Sequence, residues 1–255
     1  MNAAHADASF VVITGDLTHW GEPQAYEALQ AELARLVVPV ELMIGNHDDR
    51  AAFGARFPTA RRDRNGFVQG TRDLAGARLV FLDTVLAGTH AGAYCPQRLE
   101  WLAATLGEAP GSIVLFSHHP PFEIGIRSMD SICLRDRDAL AAVLEPHRDR
   151  IRHLFFGHVH RPVSGSWRGI PFSTVYGTNH QVALDLDPDA RLIPGSHEPP
   201  AYAVVLMSGD SVVVHTHSYT TQVARFALQA ESGLEPREYA LSMRADGTVP
   251  AGTTV

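Results

Sequence analysis

Four times between residues 10 and 160 a short apolar run stops near a glycine or serine and is followed by Asp, Asn or His. Phe10-Val11-Val12-Ile13 leads into Gly15-Asp16, and Val40 to Ile44 leads into Gly45-Asn46-His47-Asp48-Asp49. Ile113 to Phe116 runs into Ser117-His118-His119-Pro120-Pro121, and Ile151 to Phe156 into Gly157-His158-Val159-His160. Apolar runs of this length between turn signals read as buried strands. Helical spacing lies between them: Tyr26, Leu29, Leu33 and Leu36 after Pro23, then Pro96 to Leu106, then Asp138 to Leu144. Alternating strands and helices predict an α/β fold, in which ligands bind beyond the carboxyl ends of the strands. The polar clusters stand at those ends.

A single cluster of this kind is a common turn. Four in succession, each behind a buried strand, point to a shared site. Asp, Asn and His are the oxygen and imidazole donors that borderline and hard divalent cations prefer, and His158 and His160 can reach two ions from one turn.

Composition limits the alternatives. The chain has 255 residues, 45% apolar and 19% charged, which suits one large globular domain with enough aliphatic material for a sheet-based core. A net charge of -7 argues against a nucleic acid polymer as partner, but not against a small anion held by metal ions. The two cysteines, Cys95 and Cys133, form no metal or disulfide pattern. With no apolar run long enough for a membrane span and no leader pattern, a cytoplasmic location is expected, without a membrane partner. A homo-oligomer is expected as the assembly.

Gly15-Asp16-x-x-x-x-Gly21, Gly45-Asn46-His47-Asp48, His118-His119-Pro120-Pro121 and Gly157-His158-x-His160 resemble successive motifs of the calcineurin-like metallophosphoesterases. Within that superfamily the stretches Gly45 to Asp49, Met129-Asp130 and Gly177-Thr178-Asn179-His180-Gln181-Val182 are most similar to bacterial class III cyclic-nucleotide phosphodiesterases and glycerophosphodiesterases. The resemblance covers about Phe10 to Val182. It implies a four-layer αββα sandwich and two divalent ions, drawn from Fe, Mn, Zn or Co, which would clamp a phosphate and supply hydroxide for in-line attack. Asp16 would bridge the ions, Asn46, His118 and His158 would complete one site, and His160 would serve the other. His47 would be catalytic beside the scissile phosphate without binding metal, and His19 and His180 would contact the substrate.

The family opens with a strand ending in Asp-x-His, which this sequence does not contain. The fold is therefore expected to lack its first strand, and one metal site to rest on Asp16 and His160 alone. His5 and Asp7 are the only early substitutes. Residues 1–195 are expected to form the N-terminally incomplete core, with 196–255 a β-rich extension and a tail from about Glu231, part of the same domain or a small cap. The expected activity is hydrolysis of a small phosphodiester, of cyclic-nucleotide or glycerophosphodiester type. The alternative is a catalytically impaired binding or scaffold protein that keeps the fold. Outside the motifs, His90, His147, His153 and His197 read as ordinary residues, and His119 as a structural neighbour of the ligands.

Overall fold

The computed structural model describes residues 1–220, which form one compact unit. The tail from about Glu231 lies outside the described residues. In chain order the elements begin with β1 (Val11–Ile13), α1 (Pro23–Leu33), β2 (Val40–Leu42) and α2 (Arg50–Arg56). Next come β3 (Gly70–Leu74), β4 (Ala77–Phe81), α3 (Pro96–Gly107), β5 (Ser112–Ser117), α4 (Arg127–Asp130), α5 (Arg137–Leu144) and β6 (Ile151–Phe156). The series closes with β7 (Ser164–Trp167), β8 (Ile170–Ser173), β9 (Gln181–Val182), β10 (Gly195–Ser196), β11 (Ala201–Met207) and β12 (Val212–Ser218).

The central sheet is mixed, in the order β3-β4-β5-β6-β8-β7. Its middle strands β4, β5, β6 and β8 are parallel, as crossover helices require, and hairpins close both edges. Period-two alternation sorts the side chains of these strands. Val80, Ile113, Leu115, Leu154 and Phe156 point to one face, where Leu102 and Leu106 of α3 and Leu140 and Leu144 of α5 cover them. Leu79, Phe81, Val114, Phe116 and Phe155 point to the other. There Phe81, Phe116 and Phe155 stack across three adjacent strands, with centroids 5.0 and 5.2 Å apart.

That second face is covered by strands. Val12 of β1, Met43 just beyond β2, and Met207, Val212 and Val214 of the β11–β12 hairpin pack on it. β1 and β2 pair in parallel, Val12 opposite Glu41. Their outer side carries Leu17, Leu42 and Ile44 against Tyr26 of α1 and Phe53 of α2. Helices, sheet, strands and helices thus make the four layers that the resemblance implies.

Two sequence expectations shift locally. The helix read to Leu36 ends at Leu33, with Ala34 as its cap. Pro39 follows within a few residues and disfavours helical backbone just before it. Helix α2 was not foreseen, because Arg50 to Arg56 has little apolar periodicity. It is started by Asp49, whose side chain accepts a hydrogen bond from the Ala52 amide at 2.7 Å.

The loop after β4 is fastened from below. Asp83 is fully buried and accepts two hydrogen bonds from Arg50, each 2.8 Å, and one from the Val68 amide, also 2.8 Å. Arg98, also buried, donates to the Asp83 carbonyl at 2.6 Å. Beyond Asp83 the stretch from Val85 to Gly92 is an arch whose ends bridge to each other and whose His90 reaches Asn46 and His119.

Candidate metal centre

The loops after β1, β2, β5 and β6 converge. Backbone strain gathers here: of the five described non-glycine residues with positive φ, Asp16, His158 and His160, at 56°, 66° and 46°, are in these loops, and Ala75 and Arg168 lie in hairpin turns. Left-handed backbone costs free energy in residues bearing a Cβ, and it persists where surrounding structure fixes it, often at functional sites. Gly15 has φ 103°, and a Cβ there would lie 2.5 Å from His118 Nδ1 and 2.7 Å from the Gly45 nitrogen. Only glycine lets the two loops and the histidine approach this closely.

Asp48 stitches the first two loops together. Its buried carboxylate accepts from the Leu17 amide at 3.1 Å, the Gly45 amide at 2.8 Å and the Tyr26 hydroxyl at 2.9 Å. Asp16 is aimed by the same packing, and its Oδ1 accepts the His47 amide at 3.0 Å.

The histidine tautomers follow from their partners. His118 Nδ1 lies 2.7 Å from the Thr14 carbonyl, so it must donate, and Nε2 carries the lone pair of the neutral ring. That Nε2 faces two oxygens, Asn46 Oδ1 at 3.1 Å and Asp16 Oδ2 at 3.3 Å. A lone pair facing two acceptors is repulsive unless a proton or a cation lies between. Burial works against a charge on His118, but the Asp16 carboxylate outweighs it and raises the imidazole pKa. Burial likewise opposes the Asp16 charge, yet His118 and the His47 amide hold that carboxyl far below the usual range.

Asn46 is the hub. His158 Nδ1 also lies 2.8 Å from its Oδ1, while its Nδ2 donates to His90 Nδ1 at 2.9 Å. His158 Nε2 is then left buried with no hydrogen-bond partner. Burial, reinforced by neighbouring His118, pushes the His158 pKa well below its ordinary value, so the ring is neutral and ligand-competent. A carboxylate, an amide oxygen and two imidazoles, one of them oriented by a backbone carbonyl, fit a divalent cation with a supporting outer shell.

His118, His119 and His158 also offer nitrogen atoms within 4.8 Å of one another. His119 is nevertheless committed elsewhere: Nδ1 lies 2.8 Å from the Thr84 hydroxyl and Nε2 3.1 Å from the His90 carbonyl, to which it donates. Burial keeps the His119 ring neutral. Its ring packs against those of His118 and His158, with centroids 4.8 and 4.6 Å apart.

His160 donates from Nδ1 to the His180 carbonyl at 3.1 Å, which leaves Nε2 for a ligand, and the two rings lie 4.5 Å apart. Burial and then His180 lower its pKa, while Asp16 works in the opposite sense. His47 donates from Nδ1 to the His19 carbonyl at 2.8 Å, and its ring stacks on His19 at 5.4 Å. Its Nε2 is therefore the free nitrogen. His5 is placed elsewhere, edge-on to Tyr202 and His217 of the hairpin at 5.6 and 6.1 Å.

The structure adds residues that the motifs did not single out. His90 comes from the arched loop, holds the Asn46 amide, and lies 5.0 Å from the His47 ring. Trp20 stands beside both. Trp20 falls at an unspecified position inside the Gly15-to-Gly21 motif, and His90 has no motif around it.

Comparison with known proteins accords with this geometry. Residues 2–162 match the family model for calcineurin-like phosphoesterase. A probable cyclic nucleotide phosphodiesterase of Rhodopseudomonas palustris is 47% identical, with 89% of this chain and 84% of the relative covered. A glycerophosphodiester phosphodiesterase of Enterobacter lignolyticus is 32% identical over 71% of this chain and 66% of its own length. In fold, a dimetal phosphatase structure from Danio rerio superposes with a TM-score of 0.62 at 19% identity, covering 82% of this chain and 81% of that one. The strand-end loops, the mixed sheet and the matched span of sequence place this chain in the calcineurin-like phosphoesterase family.

Proposed function

We propose that this chain is a metal-dependent phosphodiesterase acting on a small phosphodiester of the cyclic-nucleotide or glycerophosphodiester type. The observation that carries the reading is the meeting of Asp16, Asn46, His118 and His158 within hydrogen-bonding distance around His118 Nε2 and Asn46 Oδ1, with His47 beside them. Asp16, Asn46, His118 and His158 would hold one divalent ion, and Asp16 with His160 a second. When bound, the ions lower the pKa of water and neutralise phosphoryl charge.

The chain's own residues do the rest. The Thr14 carbonyl holds His118 with Nε2 toward the site, and the His19 carbonyl holds His47 with Nε2 free. With a proton on Nε2 as well, His47 is thereby set to steady a phosphoryl oxygen or to pass that proton to the departing alkoxide. His19, stacked on His47, and His180, against His160, flank the place where a phosphate would lie. A scaffold that had lost catalysis would not need His47 in a fixed tautomer. Residues 1–195 form the catalytic core of this proposal, and 196–255 an extension whose β11–β12 portion packs on the central sheet. A homo-oligomer belongs to the proposal as well, supported by the exposed side chains of Leu184, Leu186, Leu192 and Leu206. Among the described residues no helix is long and apolar enough to cross a membrane, and Cys95 and Cys133 are unpaired, which supports a cytoplasmic location.

The test is His47→Ala, assayed for metal content and for hydrolysis of cyclic and glycerol-based diesters in the same preparation. Metal content should be nearly unchanged while kcat falls on the order of 10²-fold, the scale of a lost proton-transfer group. Loss of a metal would make His47 a ligand, and unchanged kcat would remove its catalytic role.

A further inference from the structure

Trp20 is 66% exposed, although large aromatic side chains gain most from burial. Its backbone is nonetheless held firmly. The Trp20 amide donates to Glu22 Oε2 at 2.8 Å, and the next amide, Gly21, donates to the Thr18 hydroxyl at 2.9 Å. That hydroxyl in turn donates to the His47 carbonyl at 3.0 Å. Gly21 has φ 72°, and a Cβ there would fall 2.6 Å from Asp49 Cβ and 2.8 Å from the Asp49 nitrogen. The loop is seated on the start of α2 so closely that only glycine fits.

The Trp20 backbone is thus held at one place, with the indole at the rim of the candidate metal centre. His19 meets it nearly edge-on, with centroids 4.7 Å apart and planes at 66°. His47 and His90 are tilted beside it at 5.6 and 6.2 Å. None of these rings stacks flat on the indole, and two thirds of the side chain's surface faces water.

We propose that Trp20 is a specificity-determining residue, an aromatic platform on which the nucleobase of a nucleoside phosphodiester stacks. This rests on the proposed diesterase reading and narrows its substrate class. With the phosphate beside His47, the group bonded through one sugar ring falls within reach of the indole, 5.6 Å from the His47 ring. A nucleobase presents a π-face to it, whereas glycerol or a small alcohol presents none. Base stacking on an aromatic side chain is sequence-tolerant, so the platform selects for a base without choosing which.

The test uses Trp20→Ala and Trp20→Phe beside the wild-type chain, all supplied with Mn²⁺. Calorimetric binding of adenosine 5′-monophosphate and glycerol 3-phosphate is measured, with kcat/KM on 3′,5′-cyclic adenosine monophosphate and glycerophosphoethanolamine. Trp20→Ala should weaken adenosine monophosphate binding about 10-fold, the scale of one stacked base, and leave glycerol 3-phosphate within about 2-fold. Trp20→Phe should restore most of the loss. An equal loss for both ligands, or none for the nucleotide, overturns the platform. Nucleotide preference lost with Trp20→Ala, in a wild type that hydrolyses no diester, would support the platform and overturn the diesterase reading instead.

Discussion

Replacing Asp48 with alanine removes the side chain that joins the loop of Asp16 to the loop of Asn46. In the folded state its carboxylate is 8% exposed and receives the Leu17 amide, the Gly45 amide and the Tyr26 hydroxyl at 2.8 to 3.1 Å. Alanine leaves those donors with no acceptor. A hydrogen bond to a charged group contributes roughly 1.5–3 kcal/mol, and an unsatisfied buried donor costs about 1–3 kcal/mol. The carboxylate's own burial cost is relieved at the same time, and the donors share one acceptor, so the contributions do not add in full. A net loss of about 3–5 kcal/mol follows. For a domain of this size that lowers Tm by about 6–20 °C, at roughly 2–4 °C per kcal/mol. Urea unfolding of Asp48→Ala beside Tyr26→Phe separates the parts, because the second variant removes one donor to the carboxylate and the oxygen that accepts from the Asp49 amide, and should cost about 1–2 kcal/mol. If Asp48→Ala lowered stability by less than about 1 kcal/mol, the stitching role drawn from these bonds would be refuted.

Gly15→Ala should damage both fold and site, because the new Cβ meets His118 Nδ1 and the Gly45 backbone while the backbone is held at φ 103°; a loss of about 3 kcal/mol or more, with reduced metal content, is expected from thermal unfolding and elemental analysis. His153 offers a test in pH: burial pushes its pKa down to about 4, so the folded state favours the neutral ring. The unfolded chain takes up the proton first as pH falls below about 6.5, and wild-type stability is therefore lost between there and pH 4. His153→Gln, which can keep a hydrogen bond to Ser173, should show a weaker fall over that window, the difference reaching roughly 2 kcal/mol by pH 4.5 once solvent screening is allowed for. Parallel urea curves for the two proteins at pH 7 and pH 4.5 would count against the burial argument.

The sequence brought Asp16, Asn46, His118 and His158 forward as candidates because each stands where an apolar run meets a glycine or serine, and that pairing of strand and turn is local. Layer order was readable for a similar reason: the alternation of Leu79, Val80 and Phe81, or of Val114 and Leu115, already divides the two faces of a sheet. What escaped is tertiary. His90 holds Asn46 across 44 residues from a loop without periodicity, and only Asp83 and its arginines, far below, explain where that loop runs. Asp48 stands inside a quoted motif, yet nothing in the motif says that its carboxylate faces Leu17 and Tyr26 rather than His118 and His158. Trp20 likewise reads as any loop aromatic until the Gly21 contact with Asp49 fixes where it stands.

Calorimetric titration of the metal-free chain with Mn²⁺ or Zn²⁺, repeated for Asn46→Ala and His118→Ala, tests the central claim most directly. The wild type should bind a first ion tightly and any second more weakly, since Asp16, Asn46, His118 and His158 meet at one place whereas His160 shares only Asp16. Each substitution should weaken the first event by at least about 10-fold, the scale on which even outer-shell partners of a metal act. Tight binding that survives both substitutions unchanged would contradict the account, because the ion would then lie somewhere other than the ends of these four strands.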